Sequence, residues 1–264
     1  MFQHHIDSIE NLRKYYAGQE GVIAVILDGS VVKGNARPDS DIDAIVVVSE
    51  EKHRALEREG RLAEVITGYC TYEGGYFDVK YKTKELLRRA AEHASEPTRN
   101  AYYKAQTVFT TDDEIPALVE KIGRYPEHEV ARKTACFMAN LKLNRGYFLH
   151  CVKEENAYMR AHLAQEIVYS VYRLVLLENR VLFPCNRRLE ETVRGCKTYP
   201  AGLIELGAKF LKEINVENCE AFVRTFTEST ALDFNDEINS NLTAYCKYYE
   251  DWWLEENAPF PNEW

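Results

Sequence analysis

Leu27-Asp28-Gly29-Ser30, followed after residues 31–40 by Asp41-Ile42-Asp43 and the apolar run Ile45-Val46-Val47-Val48, is the most telling stretch of the chain. Val22 to Leu27 reads as a strand that ends in a Gly-Ser turn, and Asp41 to Val48 reads as a second strand. Successive side chains of a strand point to opposite faces, so Asp41 and Asp43 share one face and Ile42 points the other way, into the core. Two carboxylates side by side repel, and each resists ionising without a compensating cation. A divalent ion bridging both supplies that cation, and hard oxygen ligands suit Mg²⁺ or Mn²⁺. Gly29 permits a sharp turn, and Ser30 then stands near a helix start, where free N–H groups attract phosphate. An isolated Gly-Ser or Asp-x-Asp is common in turns, and Asp39, Ser40 and Asp41 could form a helix cap or an Asx-turn. Acids leading directly into a buried strand are costly without a role, which favours the metal reading.

A third acid lies further on. In Gly74-Gly75-Tyr76-Phe77-Asp78-Val79-Lys80-Tyr81-Lys82, alternation puts Asp78, Lys80 and Lys82 on a polar face and Phe77, Val79 and Tyr81 on the other. The plain alternative is a surface acid paired with Lys80 or Lys82. Three carboxylates from two strands beside a phosphate-binding turn describe a site for two-metal chemistry on a nucleotide.

The run Gly29-Ser30-Val31-Val32-Lys33-Gly34, then Arg37-Pro38-Asp39-Ser40-Asp41-Ile42-Asp43, resembles the nucleotidyltransferase superfamily related to DNA polymerase β. Within it the likeness is to the small-molecule branch, which includes aminoglycoside and lincosamide nucleotidyltransferases. The resemblance is specific over residues 22–48, extends to Asp78, and is loose beyond about residue 125, where Glu178 to Pro184 is similar to family members. Asp28 stands at a position the family leaves variable. The resemblance implies an α+β fold: a nucleotidyltransferase-type mixed sheet with flanking helices, then a C-terminal antiparallel helical bundle. It implies Asp41, Asp43 and Asp78 as ligands of two Mg²⁺ or Mn²⁺ ions. Gly29, Ser30, Lys33 and Arg37, together with Asp41 and Asp43, would hold ATP or another nucleoside triphosphate. A nucleoside monophosphate, AMP in the first instance, would pass to a hydroxyl of a small-molecule acceptor such as an aminoglycoside, with antibiotic resistance as the corresponding role. The general base is Asp78 or an acid of the helical domain, Glu166. Two rival classes are a nucleotidyltransferase that modifies a protein, as antitoxin-type members do, and a non-catalytic nucleotide sensor.

Bulk properties narrow the partners. At 264 residues and 45% hydrophobic, the chain can bury a full core, and two modest domains fit better than one. Its 33 Lys and Arg against 42 Asp and Glu give a net charge of -9, and no basic stripe is visible that could track a nucleic-acid backbone. An acidic surface suits a cationic small molecule. Seven cysteines without a Cys-x-x-Cys pair argue for reduced thiols in a cytoplasmic protein, and neither a signal segment nor a membrane-spanning run is present. A monomer or homodimer is expected. His4-His5 is expected to be a solvated end.

The pattern predicts helices at 7–17, after Gly-Ser, at 51–59 and at 84–94, with strands at 22–27, 41–48, 62–69, 76–82 and 107–110. Gly123-Arg124-Tyr125-Pro126 is the expected boundary between a catalytic domain at 1–124 and a helical acceptor-binding domain at 125–264. Helices are expected there at 130–154, 158–182, 201–214, 219–230 and 235–256, with an extended tail at 258–261. Within them, Glu166, Tyr169 and Arg173 share a helix face, either a site wall or a salt-bridged surface. Tyr245, Tyr248, Tyr249, Trp252 and Trp253 form an aromatic stripe, either a stacking platform or core. Arg145 to His150 has the Arg-x4-His spacing of HEPN-type ribonucleases, although Gly146 replaces the usual polar residue and the spacing arises easily by chance.

Overall fold

The structure, a computed structural model, describes residues 1–232 and 238–254. The chain divides into two units, Met1–Arg124 and Tyr125–Trp264.

The first unit is built on a five-stranded mixed sheet. Its strands are β1 (Val22–Leu27), β2 (Ile42–Val48), β3 (Ala63–Thr67), β4 (Tyr76–Thr83) and β5 (Gln106–Thr110), in the order β3-β4-β2-β1-β5. All neighbours run antiparallel except β2 and β4, which are parallel. The connection between those two carries a helix and β3, enough chain for a parallel crossover. Alternation along the strands gives the sheet two apolar faces. On one, Val25, Val46, Val48 and Val79 meet Leu12 and Tyr16 of α1 (Gln3–Ala17). Leu56 of the helix α3 (Glu50–Arg58) closes the same side. On the other, Ala24, Ile26, Ile45 and Val47 meet Leu87 of α4 (Lys84–His93), Tyr102 of α5 (Glu96–Tyr102) and Ile115 of α6 (Glu114–Ile122). The short helix α2 (Gly29–Lys33) follows β1 directly.

Local chemistry explains most starts. Ser49 Oγ accepts from Lys52 N–H, Thr83 Oγ1 from Leu86 N–H, and Ser95 Oγ from Thr98 N–H, so three helices open on hydroxyl caps. The sequence reading does not include α5 and α6, which contain Pro97 and Pro116. Each proline lies in a first turn, where its missing N–H costs nothing. The expected solvated His4-His5 end is corrected. Helix α1 begins at Gln3, and His5 is fully buried against the rings of Phe2, His4 and Tyr72. Burial, followed by the charge of His4, holds its imidazole below the ordinary histidine value.

The second unit is helical. Its helices are α7 (Val130–His150), α8 (Ala157–Asn179), α9 (Leu189–Arg194), α10 (Leu203–Lys212), α11 (Val216–Thr227) and α12 (Ile238–Tyr245). A short link makes α7 and α8 an antiparallel pair. Phe137, Leu141 and Phe148 of α7, Ile167, Val171 and Leu174 of α8, and Phe222 and Phe226 of α11 build its core. Helix α8 stops before the expected Phe183-Pro184, because Arg180 turns left-handed (φ 55°) and ends the ladder. Positions 235–237 and 255–256 of the expected last helix, and the expected extended tail, lie outside the described residues. Within them, α12 loosens at Cys246–Glu250 into a wider turn. Among the described residues no helix is long and apolar enough to cross a membrane.

Phe77 is 1% exposed at the centre of the first face. Phe77→Ala is expected to lower unfolding free energy by about 3–5 kcal/mol, read by denaturant titration.

Candidate active site

The sheet fixes the carboxylates before any ligand arrives. Asp43 is the one half-buried residue of β2, whose other positions are buried, and it shares a face with Ile45 and Val47. In the parallel ladder Asp43 lies opposite Asp78 of β4. Neighbouring strands lie about 4.8 Å apart, so the two acids are held side by side by backbone register. Asp41 comes just before β2, two residues from Asp43, on the turn that Ser40 closes by accepting Arg37 N–H at 2.9 Å.

The Gly-Ser turn is pressed onto this cluster. Gly29 has φ +69°, and a Cβ placed on it would lie 1.8 Å from Asp43 Oδ2 and 2.5 Å from its Cγ. Any other residue would need both a left-handed backbone and the volume the carboxylate occupies. The backbone repeats the bond between the two segments: Asp28 N–H donates to the Asp43 carbonyl at 3.1 Å. Ser30 lies one residue further, its carbonyl accepting from Gly34 and Asn35 at 3.1 and 3.2 Å. Lys33 closes α2 and donates to Asn100 Oδ1 at 3.0 Å, and its charge still reaches Asp43 and Asp28. Arg37 stands on the exposed turn, 3.3 Å from Asp39.

Asp28, Lys80 and Tyr76, which also belong to the cluster, were not among the candidate site residues. Asp28 is 8% exposed, and no hydrogen bond from the described residues reaches its carboxylate. Burial, followed by the charge of Asp43, raises it to about 7. Burial, followed by Asp41 and Asp78, raises Asp43 to about 6. Lys80 opposes both shifts, which places a second cation beside the acids. Interaction with Asp41, hydrogen bonding first and then charge, raises the Tyr76 phenol. The usable signal for Asp28 was an acid at the end of an otherwise apolar strand.

The turn bearing Asp41 is braced from behind. The Tyr72 hydroxyl donates to the Ser40 carbonyl at 2.6 Å, and His4 Nε2 lies 2.9 Å from the Pro38 carbonyl.

Among the described residues no three His, Cys, Asp or Glu side chains are grouped as they would be around one ion. What fits a hard divalent cation is the chemistry of the set. Every donor is a carboxylate oxygen, and burial plus like charge disfavours the ionised forms of Asp28 and Asp43 until a cation is supplied.

Glu166 belongs to the second unit. On α8 its Oε2 accepts from Asn140 Nδ2 at 3.0 Å, and the same amide donates to Ser170 at 2.9 Å. Arg173, from the same predicted face, is fully buried, with its guanidinium 4.1 Å from the Phe183 ring centroid and 4.5 Å from that of Phe137. Arg145 forms a two-pronged pair with Glu220 at 2.7 Å, the geometry of a structural clamp, and His150 is exposed. Of the aromatic stripe, Tyr249 bonds to Cys136 of α7, whereas Trp253 is 66% exposed.

Sheet and site together define a domain that joins a glycine turn to paired acids. Residues 9–100, within the first unit, match the family model of the nucleotidyltransferase domain. Two solved structures are similar to this chain. A nucleotidyltransferase-like protein from Exiguobacterium sibiricum has a TM-score of 0.48 and 12% identity, covering 95% of this chain and 80% of that one. Spectinomycin adenyltransferase AAD(9) from Enterococcus faecialis, solved with ATP and spectinomycin, has a TM-score of 0.31 and 14% identity, covering 92% and 96%. No curated protein matches the chain.

The raised carboxyls set a pH dependence. Asp28 and Asp43 bind protons more tightly when folded, so their protonation stabilises the fold below the ordinary carboxylate range. That stability is lost as pH rises from about 4 to about 7. Without divalent cations, unfolding free energy is expected to fall by on the order of 2 kcal/mol between about pH 5 and about pH 8. Asp43→Asn should flatten that slope, and Mg²⁺ should reduce it in the wild type. Calorimetry across pH with EDTA or Mg²⁺ measures all three.

Proposed function

We propose that this protein transfers the nucleoside monophosphate of a nucleoside triphosphate, ATP in the first instance, to a hydroxyl of a small molecule, releasing pyrophosphate. Nucleotidyl transfer as such follows from the domain match over residues 9–100. The observation that carries the finer reading is the contact of Gly29 with Asp43, which leaves no room for a side chain between the phosphate-binding turn and the acids.

Each residue has a task in that reading. The backbone N–H groups after Gly29 and the Ser30 hydroxyl hold the terminal phosphates, and Lys33 and Lys80 offset their charge. Asp41 and Asp43 would hold Mg²⁺ or Mn²⁺, with Asp78 as a further ligand. A bound divalent ion would neutralise the triphosphate and lower the pKa of the attacking hydroxyl. The acceptor oxygen forms a bond to the α-phosphorus as the α–β bridging bond breaks. Its proton passes to a carboxylate of the same unit, Asp78, and pyrophosphate leaves with the bonding pair. An acidic chain of net charge -9 supports a cationic acceptor of the aminoglycoside kind.

The test uses purified protein, Mg²⁺, α-³²P-ATP or γ-³²P-ATP, and a panel of aminoglycosides, aminocyclitols and lincosamides. The α label is expected on an acceptor and the γ label only in pyrophosphate, with transfer by Asp43→Ala lowered about a hundredfold or more. A γ label on the acceptor, or wild-type transfer by Asp43→Ala, would refute the reading.

A further inference from the structure

The acids are not the only feature of this face of the sheet. Behind them, within the first unit, lies a cavity of about 390 Å³ between the sheet and helices α4 and α5. Its apolar wall is made by Ile45, Leu87, Ala90 and Ala101, and Tyr102 stands beside them. Asp28 lines the same cavity, as do Lys80 and Lys82 of β4.

Asp28 is the unusual element. It is more than nine-tenths buried, sits one residue from Gly29, and accepts no hydrogen bond from the described residues. A buried carboxylate without a donor is costly, and the cost is removed when a ligand supplies an N–H or O–H. The volume falls at the small end of ligand pockets, sized for one ring. The apolar wall favours a carbon skeleton over a polyanion such as the triphosphate.

We infer that this cavity is a binding subsite for a compact molecule, or one ring of a larger one, whose hydroxyl or amine donates to Asp28 while its apolar body lies against Ile45, Leu87, Ala90 and Ala101. Identifying this ligand as the acceptor rests on the function proposed above. It moves part of acceptor recognition into the first unit, where the sequence reading had given all of it to the helices. The adjacency of Asp28 to Gly29 puts the donor end beside the residues that hold the nucleotide. Lys80 and Lys82 line the strand side of the cavity, so a ligand carrying a carboxylate is the rival the test must separate.

The experiment is a methyl-resolved NMR titration of the full-length protein with cyclohexylamine, cyclohexanol and cyclohexanecarboxylate as probes. The amine and the alcohol are expected to shift the Ile45, Leu87, Ala90 and Ala101 methyl signals with Kd on the order of 1 mM. The carboxylate should bind about tenfold more weakly or not at all. Ala101→Leu, which fills the cavity, should abolish the shifts, and Asp28→Ala should weaken amine binding about tenfold. Calorimetric binding of Mg-ATP to the same samples reports on the fold and on the nucleotidyltransferase reading separately. Mg-ATP binding without probe binding would overturn the subsite and leave that reading standing. Probe binding without Mg-ATP binding would sustain the subsite as a small-molecule site and overturn the reading. Equal or tighter binding of the carboxylate, or shifts that persist in Ala101→Leu, would overturn the inference.

Discussion

The contact between the backbone of Gly29 and the carboxylate of Asp43 is the constraint on which the first unit is arranged. It requires β1 to end where it does, because the strand must hand the chain to a left-handed residue packed against the side chain of Asp43, the second position of β2. The bond from Asp28 N–H to the Asp43 carbonyl holds the same two segments through the backbone. Helix α2 then begins against the acids, and its last residue, Lys33, is tied to Asn100 on α5. One glycine therefore couples the first two strands, the short helix and, through Lys33, the helix α5 that packs on the same face of the sheet as the acids.

The electrostatic consequence is a cluster that works against the fold. Asp28 and Asp43 are partly desolvated and surrounded by their own kind, and Lys33 and Lys80 oppose the repulsion. Like charges held together by a rigid ladder store free energy that a cation releases on binding. A fold that needed only stability would have placed apolar side chains at these positions, as it does at Ile45 and Val47 two and four pairs further along. The hydrogen bond from Tyr72 to Ser40 and the contact of His4 with Pro38 keep the Asp41 turn from relaxing away from its neighbours.

Much of this was legible in the residues. Strands β1, β2 and β4 follow from apolar alternation, and the polar positions of β4 expose the face that carries Asp78, Lys80 and Lys82. The Gly-Ser turn and the spacing of Asp41 and Asp43 were visible as a motif. The parallel register that sets Asp78 beside Asp43 was not, because it pairs strands separated by a helix and β3 and depends on long-range packing. Asp28 was passed over because it stands at a position the family leaves variable, and its burial arises only when α4 and α5 cover the sheet. Helices α5 and α6 were not read, and each carries a proline that the first helical turn tolerates. His5 was misread because a terminal His pair carries no pattern, whereas the aromatic pocket that buries it is assembled from residues far apart in sequence. In the second unit, periodicity located the long helices, but it could not tell a buried cation such as Arg173 from a surface one.

In the proposed function these carboxylates await a divalent cation that comes with a nucleotide. The most direct measurement is a Mn²⁺ titration followed by electron paramagnetic resonance, with and without ATP, on the wild type and on Asp43→Asn. The account expects saturable binding that ATP tightens in the wild type, and binding at least about tenfold weaker in Asp43→Asn. Equal Mn²⁺ binding by the two proteins, or binding indifferent to ATP, would contradict it.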